Sequence, residues 1–227
     1  MGAWEKLQLG WLDYEQAQTG SQSTHQLAPS AQAANEARAV VVTLPQSNGQ
    51  DRYYIAENRQ YGGYDTTLAD GPYNFGWTRT RPNWVEHFPY QNGLLITYWN
   101  TAYGDNRASE HPGAGEILPV DANPTALRWS DGAVARNRIQ TFDSTFGLEA
   151  TDPITLQREV ADPQTGAVNT TTLSVPPQAA NPLFDDNDHN AYYDPANPQG
   201  SVQVAGSGTQ IEVVDSSRTG VLTVEVR

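Results

Sequence analysis

The chain has 227 residues, a net charge of −13 and no cysteine. The missing cysteine excludes disulfides, thiolate metal sites and cysteine nucleophiles, and 13 basic against 26 acidic residues exclude nucleic acid and an anionic membrane as partners. No apolar run approaches the roughly 20 residues of a membrane helix, and Met1–Gln16 lacks the pattern of a signal peptide.

The first predicted element is a short helix over residues 3–12. Trp4, Leu7 and Trp11 recur at helical spacing along one face. A helix this short is marginal on its own. We therefore expect both tryptophans to need a packing partner, and none is evident in the neighbouring sequence.

A β-rich region follows the helix. The polar segment 16–35 predicts a surface loop with a short strand near His25–Leu27. The runs Ala39–Leu44 and Arg52–Gln60 flank the turn Asn48-Gly49, which favours a hairpin. Further strands are predicted at Leu94–Trp99, Glu116–Val120, Ile154–Val160, Thr170–Val175, Ser201–Val204, Thr209–Val214 and Val221–Val226.

The predicted fold class is mostly β. A short N-terminal helix precedes a mainly antiparallel, β-sandwich-like region with long aromatic loops. The run Arg136–Phe142 fits either a strand or a helix. The longest loop, Tyr61–Tyr90, is dotted with aromatic residues. These rings fit a carbohydrate platform or, as we favour, a core under the loop built from Trp77, Trp84 and Phe88.

The sequence offers few residues with the spacing of a catalytic site. Neither HExxH nor Gly-x-Ser-x-Gly occurs, and no two of the four histidines lie within five residues of each other. Glu57 lies inside a predicted strand close to Arg59. A buried carboxylate there would need a partner, so we favour a structural pairing of Glu57 over a catalytic role.

One acidic loop has the composition of a calcium site. Its candidate ligands are Asp185, Asp186, Asp188, Asn190 and Asp194. Three of them follow the alternating D-x-D-x-N start of a calcium loop. The turn glycine of that pattern is replaced by alanine, and no glutamate follows at the twelfth position. A calcium site and a hydrated acidic turn both remain open.

Several long, aromatic-rich segments resemble one known family. They are 1–14 (MGAWEKLQLGWLDY), 53–65 (YYIAENRQYGGYD), 71–77 (GPYNFGW), 84–101 (WVEHFPYQNGLLITYWNT), 105–124 (DNRASEHPGAGEILPVDANP), 136–156 (RNRIQTFDSTFGLEATDPITL) and 208–227 (GTQIEVVDSSRTGVLTVEVR). The chain resembles actinobacterial immune inhibitor A-type secreted zinc metallopeptidases. The resemblance covers nearly the whole chain and is weakest at 16–38 and 161–180.

The resemblance implies a particular place within such an enzyme. In that family the zinc-binding HExxH helix precedes the segment that residues 1–14 resemble. Residues 1–14 then correspond to the last helix of the peptidase unit, and residues 15–227 to a β-rich C-terminal region with a candidate internal boundary near 125–135. No catalytic residue can be carried over, because the HExxH motif is not in this sequence.

Two functional hypotheses follow. By the first, the chain is the non-catalytic C-terminal portion of a secreted immune inhibitor A-like zinc metalloprotease. It would support a missing N-terminal catalytic domain, which holds the zinc and hydrolyses protein substrates, and would be inactive alone. Bound calcium would contribute to that support. The alternative is an autonomous β-rich module that binds glycans or proteins through residues 61–90.

Overall fold

The computed structural model describes residues 2–73, 84–135 and 141–227. These residues form one short α-helix and eleven strands, so the mostly β prediction is confirmed. Helix α1 spans Ala3–Gln8, and strands β1 to β11 span Tyr14–Gln18, Ser23–Leu27, Ala39–Thr43, Arg52–Arg59, Gly93–Asn100, Ile117–Pro119, Ile154–Ala161, Val168–Val175, Leu183–Asp185, Gln210–Ser216 and Leu222–Val226. Among the described helices, none has the length and apolarity to cross a membrane.

Helix α1 is shorter than the predicted 3–12. Gly10 adopts a left-handed backbone conformation with φ of 69°, which ends the helix. The amide of Gly10 donates to the Leu7 carbonyl at 3.0 Å, and the amide of Trp11 donates to the Lys6 carbonyl at 2.8 Å. This pair of bonds is the Schellman arrangement that satisfies the last carbonyls of a helix.

The largest sheet has five strands in the order β1-β3-β4-β5-β6. The predicted hairpin is confirmed, since β3 and β4 pair antiparallel with Ala39 opposite Glu57. Its turn residues Asn48 and Gly49 both have positive φ, 52° and 76°, as the tightest hairpin turns require. Strand β1 lies parallel to β3 at the edge; the sequence predicted a polar loop for most of this strand, which was wrong.

A second sheet has four strands in the order β2-β11-β10-β9. The two sheets share the main hydrophobic core, to which the large sheet contributes Val40 and Tyr54 and the second sheet Ile211 and Val224. Alternate residues of β3 and β4 face the other way and pack under α1. Because both faces of these strands are covered, the run AVVVT of β3 is apolar on both sides.

A separate small core lies under the β7–β8 hairpin. It is built from Trp129, Ala135, Phe142, Leu156, Leu173 and Val175. Of the run predicted as strand or helix, residues 136–140 lie outside the described residues, and Thr141–Asp143 forms a short 3-10 helix.

The strand predicted at Ser201–Val204 is not present. The amides of Val202 and Val204 donate to carbonyls of the loop 186–200, at Tyr192 and His189, instead of to a neighbouring strand. Both valines are buried in the main core, so their alternation reflects packing of a loop. The predicted division of the chain at residues 14 and 15 stays a prediction.

Candidate functional site

Glu57 is the most deeply buried glutamate close to helix α1. It is 2% exposed and projects from β4 toward the start of that helix. Its Oε1 accepts a hydrogen bond from the Ala3 amide at 3.1 Å, and its Oε2 lies 3.8 Å from Nη1 of Arg59. Burial raises the pKa of Glu57, and the Arg59 charge lowers it only in part. The structure thus supplies the partner that a buried carboxylate needs.

A cavity of about 300 Å³ opens beside Glu57. It lies between α1, β5 and the segment that contains Tyr90, and Trp4 also lines it. Two buried atoms of its wall, Glu57 Oε2 and Trp4 Nε1, have no hydrogen-bond partner. Glu57 Oε2 accepts hydrogen bonds, and Trp4 Nε1 donates them. A group that can both donate and accept a hydrogen bond, such as a water or a peptide unit, would therefore satisfy both atoms. We refer to this space as the helix-side cavity.

Arg59 separates the helix-side cavity from a second cavity of about 440 Å³. Lys6 and Arg38 also line this second space, which we refer to as the basic cavity. Within it, Arg59 Nη2 lies 3.4 Å from Asp65 Oδ2, and Lys6 donates to the Ser30 carbonyl at 3.3 Å. Three of the 13 basic residues therefore meet in one place on a strongly acidic chain. Arg38 is paired there with Asp13, and Arg59 with Asp65 and Glu57.

The two tryptophans of the N-terminal segment have different environments. Trp4 packs edge-on against Trp99 of β5, with ring centroids 6.4 Å apart. Trp4 therefore has the packing partner that it was expected to need, from a strand that the neighbouring sequence did not indicate. Trp11 lies beyond the end of α1 and is 68% exposed, with Leu9 and Tyr14 also exposed beside it in sequence. We refer to Leu9, Trp11 and Tyr14 as the apolar edge.

The predicted calcium ligands do not all face one point. Asp186 is fully buried, and its carboxylate accepts four hydrogen bonds. The donors are the Tyr54 hydroxyl at 2.8 Å, the Ser207 amide at 3.1 Å and hydroxyl at 2.7 Å, and the Thr209 amide at 2.6 Å. These donors join Asp186 to two distant segments, β4 and the loop before β10, and leave little of its carboxylate for an ion.

The other predicted ligands lie nearer the surface. Asp185 accepts from Asn187 and Gln210, and Asp188 accepts from the Asn190 amide at 2.9 Å. The side chains of Asn190 and Asp194 also accept hydrogen bonds from the protein, from Gln203 and from the Ala126 and Ala196 amides. Because an oxygen with one donor keeps a further lone pair, calcium binding by this loop stays a prediction.

The aromatic loop is described only in part. Trp77 lies outside the described residues, while Phe88 packs against the small core. The indole nitrogen of Trp84 is buried, and Tyr64 is 95% exposed. The position of Phe88 agrees with the interpretation that aromatic residues of this loop form a core beneath it. Binding of glycans or proteins by this loop stays a prediction.

Sequence reasoning singled out Glu57 but missed most of its surroundings. Tyr90 and Lys6 come from segments 33 and 51 residues away along the chain, and nothing in their local sequence indicates that they lie near this carboxylate. The usable signal was the pair Glu57 and Arg59, which are two residues apart on one strand and therefore point to the same face.

Comparison with known proteins defines the class as a domain of metallopeptidases. Residues 47–224 match the family described as the VEG domain of immune inhibitor A-like metallopeptidases, and the chain belongs to that family. Over 169 residues it is 30% identical to the pre-pro-metalloprotease PrtV from two strains of Vibrio cholerae serotype O1. The match covers 74% of this chain but only 16% of PrtV. The resemblance found in the sequence is confirmed at the level of the family.

A metallopeptidase contains a metal ion, which side chains such as His, Asp and Glu hold. Among the described residues, no group of three or more His, Asp or Glu side chains is arranged to hold a metal ion. The described residues therefore do not fit the zinc centre expected of such an enzyme, and we derive no step through zinc for them.

Proposed function

We propose that this chain is the non-catalytic, β-rich part of a secreted immune inhibitor A-like zinc metalloprotease. Its role is to pack against the catalytic domain and stabilise it. The catalytic domain supplies the zinc and hydrolyses protein substrates. The observation that carries this proposal is the family match over residues 47–224, on a chain that spans 16% of its PrtV relative.

The apolar edge supports the same proposal. Leu9, Trp11 and Tyr14 expose large apolar side chains within six residues of one another. An aromatic side chain as exposed as Trp11 is a common anchor in protein interfaces. The catalytic domain is the occupant we infer for this edge, because the resemblance aligns residues 1–14 with the last helix of the peptidase unit.

The first test is the coding DNA upstream of Met1. We expect an in-frame extension that encodes a signal peptide and an HExxH motif. A stop codon shortly upstream, together with a ribosome-binding site, would contradict the proposal and favour an autonomous binding module.

A second measurement uses the purified chain in a casein-cleavage assay, where we expect no hydrolysis. Cleavage that is blocked by a zinc chelator would show that the chain is itself catalytic.

The apolar edge can be tested on the chain alone. Fluorescence of an apolar dye should fall in Trp11→Ser, because the exposed indole is removed. Tyr64→Ser is the matched control, since Tyr64 is even more exposed but lies outside the apolar edge. Equal dye signals in the wild type and Trp11→Ser would argue against an exposed docking surface at this edge.

We also propose that the acidic loop binds calcium through Asp185, Asp188, Asn190 and Asp194. Support comes from the density of oxygen ligands in this loop, although Asp186 is committed to protein donors. Millimolar calcium should then raise the melting temperature by mass action, and Asp188→Asn should reduce the increase. An unchanged melting temperature at millimolar calcium would refute it.

A further inference from the structure

Three side chains near the start of the chain form a continuous chain of hydrogen bonds. The Oγ atom of Ser23 lies 2.8 Å from Nε2 of His25, and Oε2 of Glu15 lies 2.6 Å from Nδ1 of the same ring. We refer to these three residues as the serine relay. None of them belongs to the acidic loop or to the apolar edge.

The serine relay lies where the two large sheets have their edge strands. Ser23 and His25 are two residues apart on β2, so both side chains point to the same face of that strand. Glu15 lies on β1, at the edge of the five-stranded sheet. The short connection 19–22 joins β1 to β2, which holds the carboxylate against the ring.

The order of the two ring nitrogens suits the activation of a hydroxyl. An ionised carboxylate only accepts hydrogen bonds, so the proton of the neutral imidazole lies on Nδ1, which faces Glu15. Nε2 is then an acceptor, and the Ser23 hydroxyl donates to it. Serine nucleophiles are activated by this same arrangement of hydroxyl, imidazole and carboxylate on several unrelated folds.

Burial changes along the serine relay in the direction that a nucleophile requires. His25 is 5% exposed, so its ring is held in place and shielded from water. Ser23 is only partly buried, so a small molecule can approach its hydroxyl. The base is therefore enclosed, while the atom that would react is accessible.

A backbone amide next to Ser23 is available for the oxygen that becomes negative during acyl transfer. Gln210 and Arg227 exchange both backbone hydrogen bonds between β10 and β11. Because the bonding direction alternates along an antiparallel ladder, Val226 bonds to the other neighbour, β2, where Ser23 is its partner in register. The Thr24 amide therefore faces the free edge of β2. The amide of the residue after the nucleophile is an oxyanion donor in α/β-hydrolases.

We propose that Ser23 is a reactive nucleophile, which accepts an acyl group from an activated carboxylic ester. The Ser23 oxygen bonds to the ester carbon as its proton moves to Nε2 of His25. The bond between that carbon and the leaving oxygen then breaks, and the proton passes from Nε2 to the leaving oxygen. The products are a chain acylated on Ser23 and an alcohol. This modification needs neither zinc nor the catalytic domain, so it is independent of the proposed function.

The test is acylation of the 227-residue chain by p-nitrophenyl acetate. We expect release of one equivalent of nitrophenol per chain, and a peptide map should place the acetyl group on Ser23. Ser23→Ala should abolish this release. Ser21→Ala is the matched control, because Ser21 is an exposed serine in the preceding connection, and this variant should react as the wild type does.

Two further variants test the other members of the serine relay. His25→Gln should slow the acylation by about 100-fold or more, because the hydroxyl loses its base. Glu15→Gln should slow it less, since the imidazole stays but its proton is no longer held on Nδ1. Glu15→Asp, which keeps a carboxylate, should retain more of the rate than Glu15→Gln. The melting temperature of each variant shows whether it is folded.

Equal acylation of the wild type and Ser23→Ala would overturn the proposal. So would a folded His25→Gln variant that reacts at the wild-type rate, since Ser23 would then not depend on the imidazole. If His25→Gln does not fold, Ser23→Ala decides the question, because it removes only a hydroxyl at a partly exposed position.

Discussion

Asp186 and Glu57 are both buried carboxylates, yet their surroundings differ. Glu57 lies on β4 of the five-stranded sheet, whereas Asp186 follows β9 and contacts Tyr54 of β4. Asp186 receives four hydrogen bonds, from Tyr54, Ser207 and Thr209. Glu57 receives one hydrogen bond from the Ala3 amide, and its second oxygen has only Arg59 at 3.8 Å. One carboxylate is therefore saturated by the chain, and the other is left partly unsatisfied beside a cavity.

The difference shows that burial of a carboxylate does not by itself indicate its role. The donors to Asp186 join β4, the segment after β9 and the loop before β10, so this side chain acts as a structural hub. Glu57 contacts the start of α1, which is the part of the chain that the proposed function places against the catalytic domain. A carboxylate with unused hydrogen-bonding capacity is better suited to respond to a partner than one with none.

The largest effect should come from Asp186→Asn. The NH2 group of the new asparagine cannot accept the hydrogen bonds that a carboxylate oxygen accepted. At least one buried amide or hydroxyl would therefore lose its acceptor. We expect a loss of about 3 kcal/mol in the free energy of unfolding, measured by urea denaturation. Asp188→Asn, a change to an exposed neighbour, should cost less than about 0.5 kcal/mol. Equal losses in the two variants would contradict the role of Asp186 as a hub.

Tyr54→Phe should cause a smaller loss in the free energy of unfolding than Asp186→Asn. The Tyr54 hydroxyl donates to Asp186 and accepts from the Ala205 amide, both at 2.8 Å. Its removal takes away one of four donors and leaves the Ala205 amide without this acceptor, at a cost of about 1–3 kcal/mol. Urea denaturation of Tyr54→Phe and of the exposed control Tyr64→Phe would measure it. A Tyr54→Phe variant as stable as its control would show that this donor is dispensable.

The positions of most strands along the chain could be predicted from residue patterns. The hairpin of β3 and β4 was found because a β-branched run and an Asn-Gly turn are local signals. Strand β1, Tyr14–Gln18, was missed because most of it is exposed and polar and it pairs in parallel at an edge. The false strand at Ser201–Val204 arose because two buried valines alternate in a loop, and side-chain alternation does not report where the backbone amides donate.

The candidate sites were less predictable, because they depend on contacts between distant segments. Asp186 lies 132 residues from Tyr54, so the sequence showed an acidic run but not the donors that saturate its central member. Glu15 lies on the strand that was missed and in a different sheet from His25, so their pairing carried no signal. Glu57 could be selected because its charge interrupts an apolar strand, which is a local feature.

The smallest effect, and the one that varies with pH, should come from Glu57→Gln. Because burial raises the pKa of Glu57 in the folded chain, the protonated form is favoured there. The stability that this raised pKa gives the folded chain is complete below the pKa of Glu57 in the unfolded chain. It is lost as the pH rises through the pKa of Glu57 in the folded chain. The neutral glutamine does not titrate, so the melting temperature of Glu57→Gln relative to wild type should increase from pH 4.5 to pH 8. Glu36→Gln, at an exposed position, should show no such trend. A difference for Glu57→Gln that is constant with pH, or that falls as the pH rises, would mean that Arg59 and the Ala3 amide compensate the charge fully, and the contrast with Asp186 would then disappear.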